Sequence, residues 1–321
     1  MEAALSSTLP PMLSRQEVAA NLSFDRLIPA IEDGFRAFHA GRAPVSPVTS
    51  LHMEDVNGET HIRAGYLTDG SVLCVKVANF YFDNPRAGLP TMDCAVIVSD
   101  RRTGRVRVII CDGGLLSDMR TAAASAVATR VLARSDANSV GLVGAGNQAY
   151  WHGIALGHVR KIGQMKVWSR SSERAAATAK RLAVATGKPV VSASLDEVAS
   201  CDIVVTATPA RSPILDQQRL ARGACVIAMG ADTPGKRELG SNITRQANWF
   251  VADSLKQARR AGELQWLTDL PQSTQVTELG AVIAGEQAPR QNEDALIIFD
   301  STGIAFQDVV AASLLLGEKG K

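Results

Sequence analysis

A short apolar run, Ser139-Val-Gly-Leu-Val143, passes directly into Gly144-Ala-Gly-Asn-Gln-Ala149 and then into a helical pattern. Few folds accept two glycines at that spacing between a buried strand and a helix. Gly144 permits the tight turn, Gly146 lets backbone N–H groups approach a pyrophosphate, and Ala149 is small enough for the helix to sit close on the strand. In this setting the G-x-G-x-x-A pattern predicts a dinucleotide-binding unit with the loop Gly144, Ala145, Gly146 at the phosphates.

The surrounding chain agrees. Apolar strands at 140–143, 166–168, 203–206, 225–229, 249–252 and 297–300 alternate with helical segments, one of them opened by the capping pattern Ser194-Leu-Asp-Glu197. That alternation predicts a doubly wound parallel sheet. Ahead of it, residues 45–109 are alternating and β-branched, with turn signals at Asn57-Gly58, Asp69-Gly70 and Thr103-Gly104, and read as an antiparallel sheet of hairpins. Helices are expected before this sheet, from the capping pattern Ser14 to Glu17 and from Leu27, Ile28, Ile31, Phe35 and Phe38 at helical spacing. Others are expected from Arg120 to Arg134 and over 305–316.

Charge and apolar content exclude other classes. In 321 residues, 34 Lys and Arg against 32 Asp and Glu leave a net charge of +2 with no basic patch, which argues against nucleic acid as a partner. No apolar run approaches the roughly 20 residues of a membrane-spanning helix. Residues 1–10 lack the pattern of a secretory signal, so the expected compartment is the cytoplasm. Five scattered cysteines, Cys74, Cys94, Cys111, Cys201 and Cys225, read as reduced core thiols, and neither they nor the five histidines have metal-ligand spacing.

A carboxylate about 20 residues beyond the glycine loop usually holds the ribose hydroxyls of NAD. Here the strand at 166–168 ends in Ser169-Arg170-Ser171, with no acid before Glu173. An arginine between two hydroxyls suits the doubly charged 2′-phosphate of NADP(H) through charge-assisted hydrogen bonds. NADP(H) is therefore the preferred cofactor and NAD(H) the alternative.

The segments Gly88-Leu-Pro-Thr91, Leu116-Ser-Asp-Met-Arg120-Thr-Ala-Ala-Ala-Ser125, Gly144 to Ala149, Asp202 to Pro209, Gly230-Ala-Asp-Thr-Pro-Gly-Lys236-Arg-Glu-Leu239, Ala261-Gly-Glu263 and Asp300-Ser-Thr-Gly303 resemble the ornithine cyclodeaminase/mu-crystallin family. The resemblance implies an α/β fold, a Rossmann-type doubly wound parallel sheet plus a smaller α+β sheet domain through which two subunits form a homodimer. Residues 1–121, completed by the C-terminal helix 304–321, would be the substrate and dimerisation domain, and 122–303 the NAD(P)-binding domain. It also implies chemistry at the α-carbon of a small amino or imino acid beside a nicotinamide. By the same resemblance Arg120 and Lys76 bind the substrate carboxylate and Asp232 exchanges a proton with the nitrogen. Thr91, Asn147, Gln148, Ser169, Arg170, Ser171, Thr206, Thr208, Met229, Lys236 and Ser301 surround the cofactor.

One family feature is missing. The arginine that cyclodeaminases place early in the sheet domain has no counterpart in Ala43 to Val48. Glu59, His61 and Arg63 instead alternate on one strand face, where Arg63 either replaces that cation or belongs to a solvated hairpin surface. The resulting expectation is an NAD(P)H-dependent, NADPH-preferring reductase of a cyclic ketimine or α-imino acid. The alternatives are a redox-neutral cyclodeaminase, with Glu263 as the anion for a distal ammonium, an alanine-dehydrogenase-like activity, and a binding protein for NADPH and a small ligand. Asp232 counts against the last, since a pure binder has no use for an acid/base.

Overall fold

The computed structural model describes residues 9–267, 271 and 273–317, in two units. One unit comprises 9–23, Ala40–Ser117 and 305–317. Its strands are β1 (Met12–Ser14), β2 (Thr49–Met53), β3 (Gly58–Tyr66), β4 (Val72–Tyr81), β5 (Met92–Asp100) and β6 (Val106–Cys111), in the order β1-β6-β5-β4-β3-β2. Strands β2 to β6 are antiparallel neighbours, as their alternation predicts. β1 adds a parallel edge beside β6 that the sequence does not announce, because three residues ending in a helix cap carry no period. Ser14 and Glu17 complete the expected capping box on helix Arg15–Asn21.

β3 and β4 alternate buried and half-buried positions. Helix Ala305–Leu315 covers their buried face, so closely that a Cβ on Gly65 would stand 3.2 Å from that of Ala305. Four cysteines are buried as expected, but Cys111 is exposed. It is the last residue of β6, on the face opposite the buried Ile110, where the chain leaves the sheet.

The second unit comprises Phe24–His39 and Asp118–Ile304. Its eight strands are β7 (Ser139–Val143), β8 (Gln164–Trp168), β9 (Val190–Ser192), β10 (Ile203–Thr206), β11 (Cys225–Ala228), β12 (Trp249–Ala252), β13 (Gln275–Glu278) and β14 (Ile297–Asp300). All run parallel, in the order β13-β12-β14-β11-β10-β7-β8-β9. β10, β11 and β14 are buried at every position, which is why they read as continuous apolar runs. The edge strands β9 and β13 escape sequence reading because they are short and mostly exposed or half-buried. Progression reverses between β7 and β10, and open α/β sheets bind ligands beyond the carboxyl ends of strands at such a switch point.

Two expectations about boundaries are corrected. Helix Phe24–His39, read as part of the first domain, groups with the parallel-sheet unit. Its apolar stripe of Leu27, Ile28, Ile31 and Phe35 is buried, and Gly280 of helix Leu279–Ile283 sits where a Cβ would stand 2.6 Å from the His39 Cβ. The long helix begins at Leu115 rather than Arg120, because the Asp112 carboxylate accepts hydrogen bonds from the Gly114 and Leu116 N–H groups. The units therefore divide between Ser117 and Asp118, inside this helix, and not after residue 121. Among the described residues no helix is long and apolar enough to cross a membrane.

Candidate active site

The glycine loop has the geometry its sequence demands. Gly144 lies at φ +123°, and a Cβ there would stand 2.6 Å from the Ala207 carbonyl oxygen, so the β7 and β10 loops meet only across a glycine. Gly146 caps helix Asn147–Leu156 without a side-chain hydrogen bond, and a Cβ on it would meet nothing within 4 Å. Open N–H groups at a helix N-terminus fit a pyrophosphate. Ala149 is buried as expected, and Thr178 pins the loop by donating to the Ala145 carbonyl at 2.9 Å. The Gln148 carboxamide donates to Asp118 at 2.8 Å, which leaves its backbone N–H as the group it offers a phosphate.

At the end of β8, beside β7, Arg170 is exposed. Ser171 caps helix Ser172–Thr186 by accepting from the Arg174 N–H, and the Ser171 N–H donates to Ser169. These bonds fix the turn so that two hydroxyls flank the arginine.

The loops after β10 and β11 are tied together by a buried acid that sequence reading quoted but gave no role. The Glu238 carboxylate accepts from the Thr206 hydroxyl at 2.6 Å, the Thr208 N–H at 2.7 Å, the Thr208 hydroxyl at 2.7 Å and the Gly230 N–H at 2.8 Å. Burial raises its pKa, and the four donors oppose that. Thr206, expected among the cofactor contacts, is fully buried and holds Glu238 instead. The signal for Glu238 was the presence of two threonines after β10 and an acid within the Gly230–Leu239 motif. Farther along that loop Lys236 donates to Asp232 at 2.8 Å; the Asp232 side chain is 33% exposed and that of Lys236 9%. Met229 follows β11, and Ser301 follows β14, where its N–H donates to the Ala228 carbonyl.

Glu263, offered as a substrate anion, is engaged inside the parallel-sheet unit. It is 1% exposed, its Oε1 accepts from the Glu238 N–H at 2.6 Å, and burial pushes its pKa up to about 8. Asp300, whose carboxylate accepts from the Glu263 and Leu264 N–H groups, is pushed up to about 7, again by burial. A raised folded-state pKa means that the folded chain keeps a proton which the unfolded chain has released. Stability therefore falls as pH rises from about 4.5 toward about 8, by at most about 1.4 kcal/mol per pH unit and per group. Glu263→Gln keeps the acceptor for Glu238 and should flatten the decline of Tm between about pH 5 and about pH 8. An unchanged slope would show that Glu263 is not a source of it.

On the antiparallel sheet, Arg63 of β3 lies directly opposite Lys76 of β4, and they are 7% and 3% exposed. Glu59 and His61, on the same face of β3, are 2% and 4% exposed, so the solvated-hairpin reading fails. Lys76 donates to Asp308 at 2.9 Å and to Ser117 at 3.1 Å. Sequence reading missed Asp308, although an acid inside the apolar closing helix was its signal. Thr91 precedes β5 in this unit, half-buried. Arg120, buried, belongs to the parallel-sheet unit and follows Ser117 by one turn of their shared helix.

Residues 9–318 match the ornithine cyclodeaminase/mu-crystallin family. The chain belongs to this family. It is 37% identical over 290 residues to an uncharacterised cyclodeaminase of Sinorhizobium fredii, covering 88% of this chain and 87% of that one. The solved archaeal alanine dehydrogenase dimer with bound NAD superposes with a TM-score of 0.87 at 30% identity, over 96% of this chain and 95% of that one. The Δ1-pyrroline-2-carboxylate reductase of Thermococcus litoralis, solved with NADH and L-proline, gives 0.90 at 28% identity over 96% of each chain.

Proposed function

We propose that this family member reduces the C=N bond of an α-imino acid, cyclic ketimines included, and prefers NADPH. The observation that carries the reading is the in-register pair of buried cations, Arg63 opposite Lys76. Such a pair, with Lys76 also held by Asp308, suits a carboxylate. Cyclodeamination needs a diamine, and Glu263, the anion that sequence offered it, is buried against Glu238.

When bound, the nicotinamide supplies the hydride to the imine carbon. Arg120 and Lys76 hold the carboxylate, with Arg63 as a further cation, and Asp232 manages the proton at nitrogen while Lys236 holds it in place. Thr91, Asn147, Gln148, Thr208, Met229 and Ser301 are the remaining proposed cofactor contacts. The working form is a homodimer, as in the archaeal relative.

Arg170, flanked by Ser169 and Ser171, is assigned to the 2′-phosphate, although the T. litoralis relative was solved with NADH. The test follows loss of reduced-nicotinamide absorbance with a cyclic 2-carboxy ketimine, NADPH and NADH side by side. NADPH should be consumed faster, and Arg170→Ala should raise its KM by about ten- to a hundred-fold while affecting NADH far less. Faster NADH loss overturns the phosphate assignment, and no loss with either cofactor overturns the reductase reading.

A further inference from the structure

The Glu238 carboxylate anchors the two ends of the loop after β11, and a different element holds its middle, which carries Asp232. There the Lys236 N–H donates to the Thr233 carbonyl at 3.3 Å, with Gly235 at φ +85°, a turn that folds Lys236 back toward Asp232. The partner of this turn is the short 3-10 helix Glu263–Trp266, itself pinned by Asp300 through the Glu263 and Leu264 N–H groups. The Gln265 carboxamide grips the turn twice: its Oε1 accepts from the Gly235 N–H at 3.0 Å, and its Nε2 donates to the Lys236 carbonyl at 3.2 Å. Nε2 also donates to the Ala261 and Gly262 carbonyls, at 3.0 and 2.8 Å. Three carbonyls at one end and an N–H at the other decide which end of this amide is the oxygen. The Trp266 indole N–H donates to the same Lys236 carbonyl at 2.8 Å, and the Arg237 guanidinium lies over its ring, 5.5 Å from the centroid.

Proton transfer needs heavy atoms within about 2.6–3.2 Å of each other, and a misplacement of about 1 Å costs on the order of a hundred-fold in rate. An irregular loop has no ladder of its own to supply that precision, so it must be braced from outside. The brace ends one side chain from the chemistry: it grips the backbone of Lys236, whose ammonium holds Asp232 Oδ1 at 2.8 Å. We propose that Gln265, seconded by Trp266, is a positioning residue of the reaction, setting through Lys236 where Asp232 presents its carboxylate to the imine nitrogen. This rests on the reading of Asp232 as the group that handles the proton. The residue type fits the task. Gripping an N–H and a C=O together takes an acceptor and a donor on one side chain, and an uncharged amide offers both without competing for either member of the Asp232–Lys236 ion pair.

The test uses the full chain with NADPH and Δ1-pyrroline-2-carboxylate, and the variant Gln265→Leu, which keeps the bulk and loses the grip. Its kcat should fall by about ten- to a hundred-fold with the KM for NADPH nearly unchanged. Isotope effects separate positioning from general damage. In the variant the solvent deuterium effect on kcat should rise, and the effect of 4-deuterated NADPH should fall toward one, because the proton step has become slower than the hydride step. Trp266→Phe keeps a ring beneath Arg237 and loses only the donor, so it should shift both effects in the same direction by less. A lower kcat with both isotope effects as in the wild type overturns the proposal, as does an unchanged kcat. Hydrogen exchange gives a readout without turnover: residues 230–239 should exchange faster in Gln265→Leu, with β10 as in the wild type. If the wild type reduces no imine, the reading of Asp232 fails, and exchange still decides the brace: an unchanged rate over 230–239 sinks it.

Discussion

Replacing Asp232 by Asn is expected to lower the turnover of imine reduction by about a hundred- to ten-thousand-fold while leaving cofactor affinity nearly unchanged. Asparagine has the volume of aspartate and keeps an oxygen for the Lys236 ammonium, which now stands 2.8 Å away. The loop after β11 should therefore hold its place. What the variant loses is a titratable proton, which C=N reduction needs at nitrogen. The two side chains of this pair are not equivalent: Asp232 is a third exposed and can meet a ligand, whereas Lys236 is nearly covered. Single-turnover kinetics with a cyclic ketimine, together with a fluorescence titration of NADPH, separate the two effects. Equal loss of both would assign Asp232 to the architecture of the loop, and unchanged turnover would move the proton to another group.

The parallel sheet and its glycine loop were legible because each needs a local pattern: an apolar run, a glycine where φ is positive, a small residue under a helix. The positions of Gly144 and Ala149 followed from those needs alone, and the structure puts both where the turn and the close approach require them. Lys76 and Arg63 were legible only as alternating residues, since register is a property of two strands and neither strand announces its partner. The exposure of the hairpin face was misjudged for the same reason. Charged residues alternating on one strand look solvated until a helix from the far end of the chain, Ala305–Leu315, is laid over them. The burial of Glu263 was not legible, because a buried acid and a ligand-facing acid have the same letter. Its partner, the Glu238 N–H, is 25 positions away and joined to it only by the fold.

Glu238→Ala is expected to destabilise the parallel-sheet unit by about 3–5 kcal/mol, the loss of several hydrogen bonds to one buried carboxylate. That is a fall in Tm of about 10 °C for a unit of this size. The cause is specific. Four donors from Thr206, Thr208 and Gly230 converge on one carboxylate, and without it two half-buried N–H groups and the buried Thr206 hydroxyl would lose their acceptor. Glu238→Gln retains the volume but turns one acceptor into a donor that faces donors, so it should fall between the wild type and Ala. Because the same bonds set the loops that carry the proposed cofactor contacts Thr208 and Met229, cofactor affinity should weaken in step with stability across the two variants. Thr206→Val gives the contrast. It removes one donor to Glu238 from a fully buried position and should cost stability with little loss of cofactor affinity. A large loss of affinity at undiminished Tm would return Thr206 to the cofactor and reduce Glu238 to one contact among several.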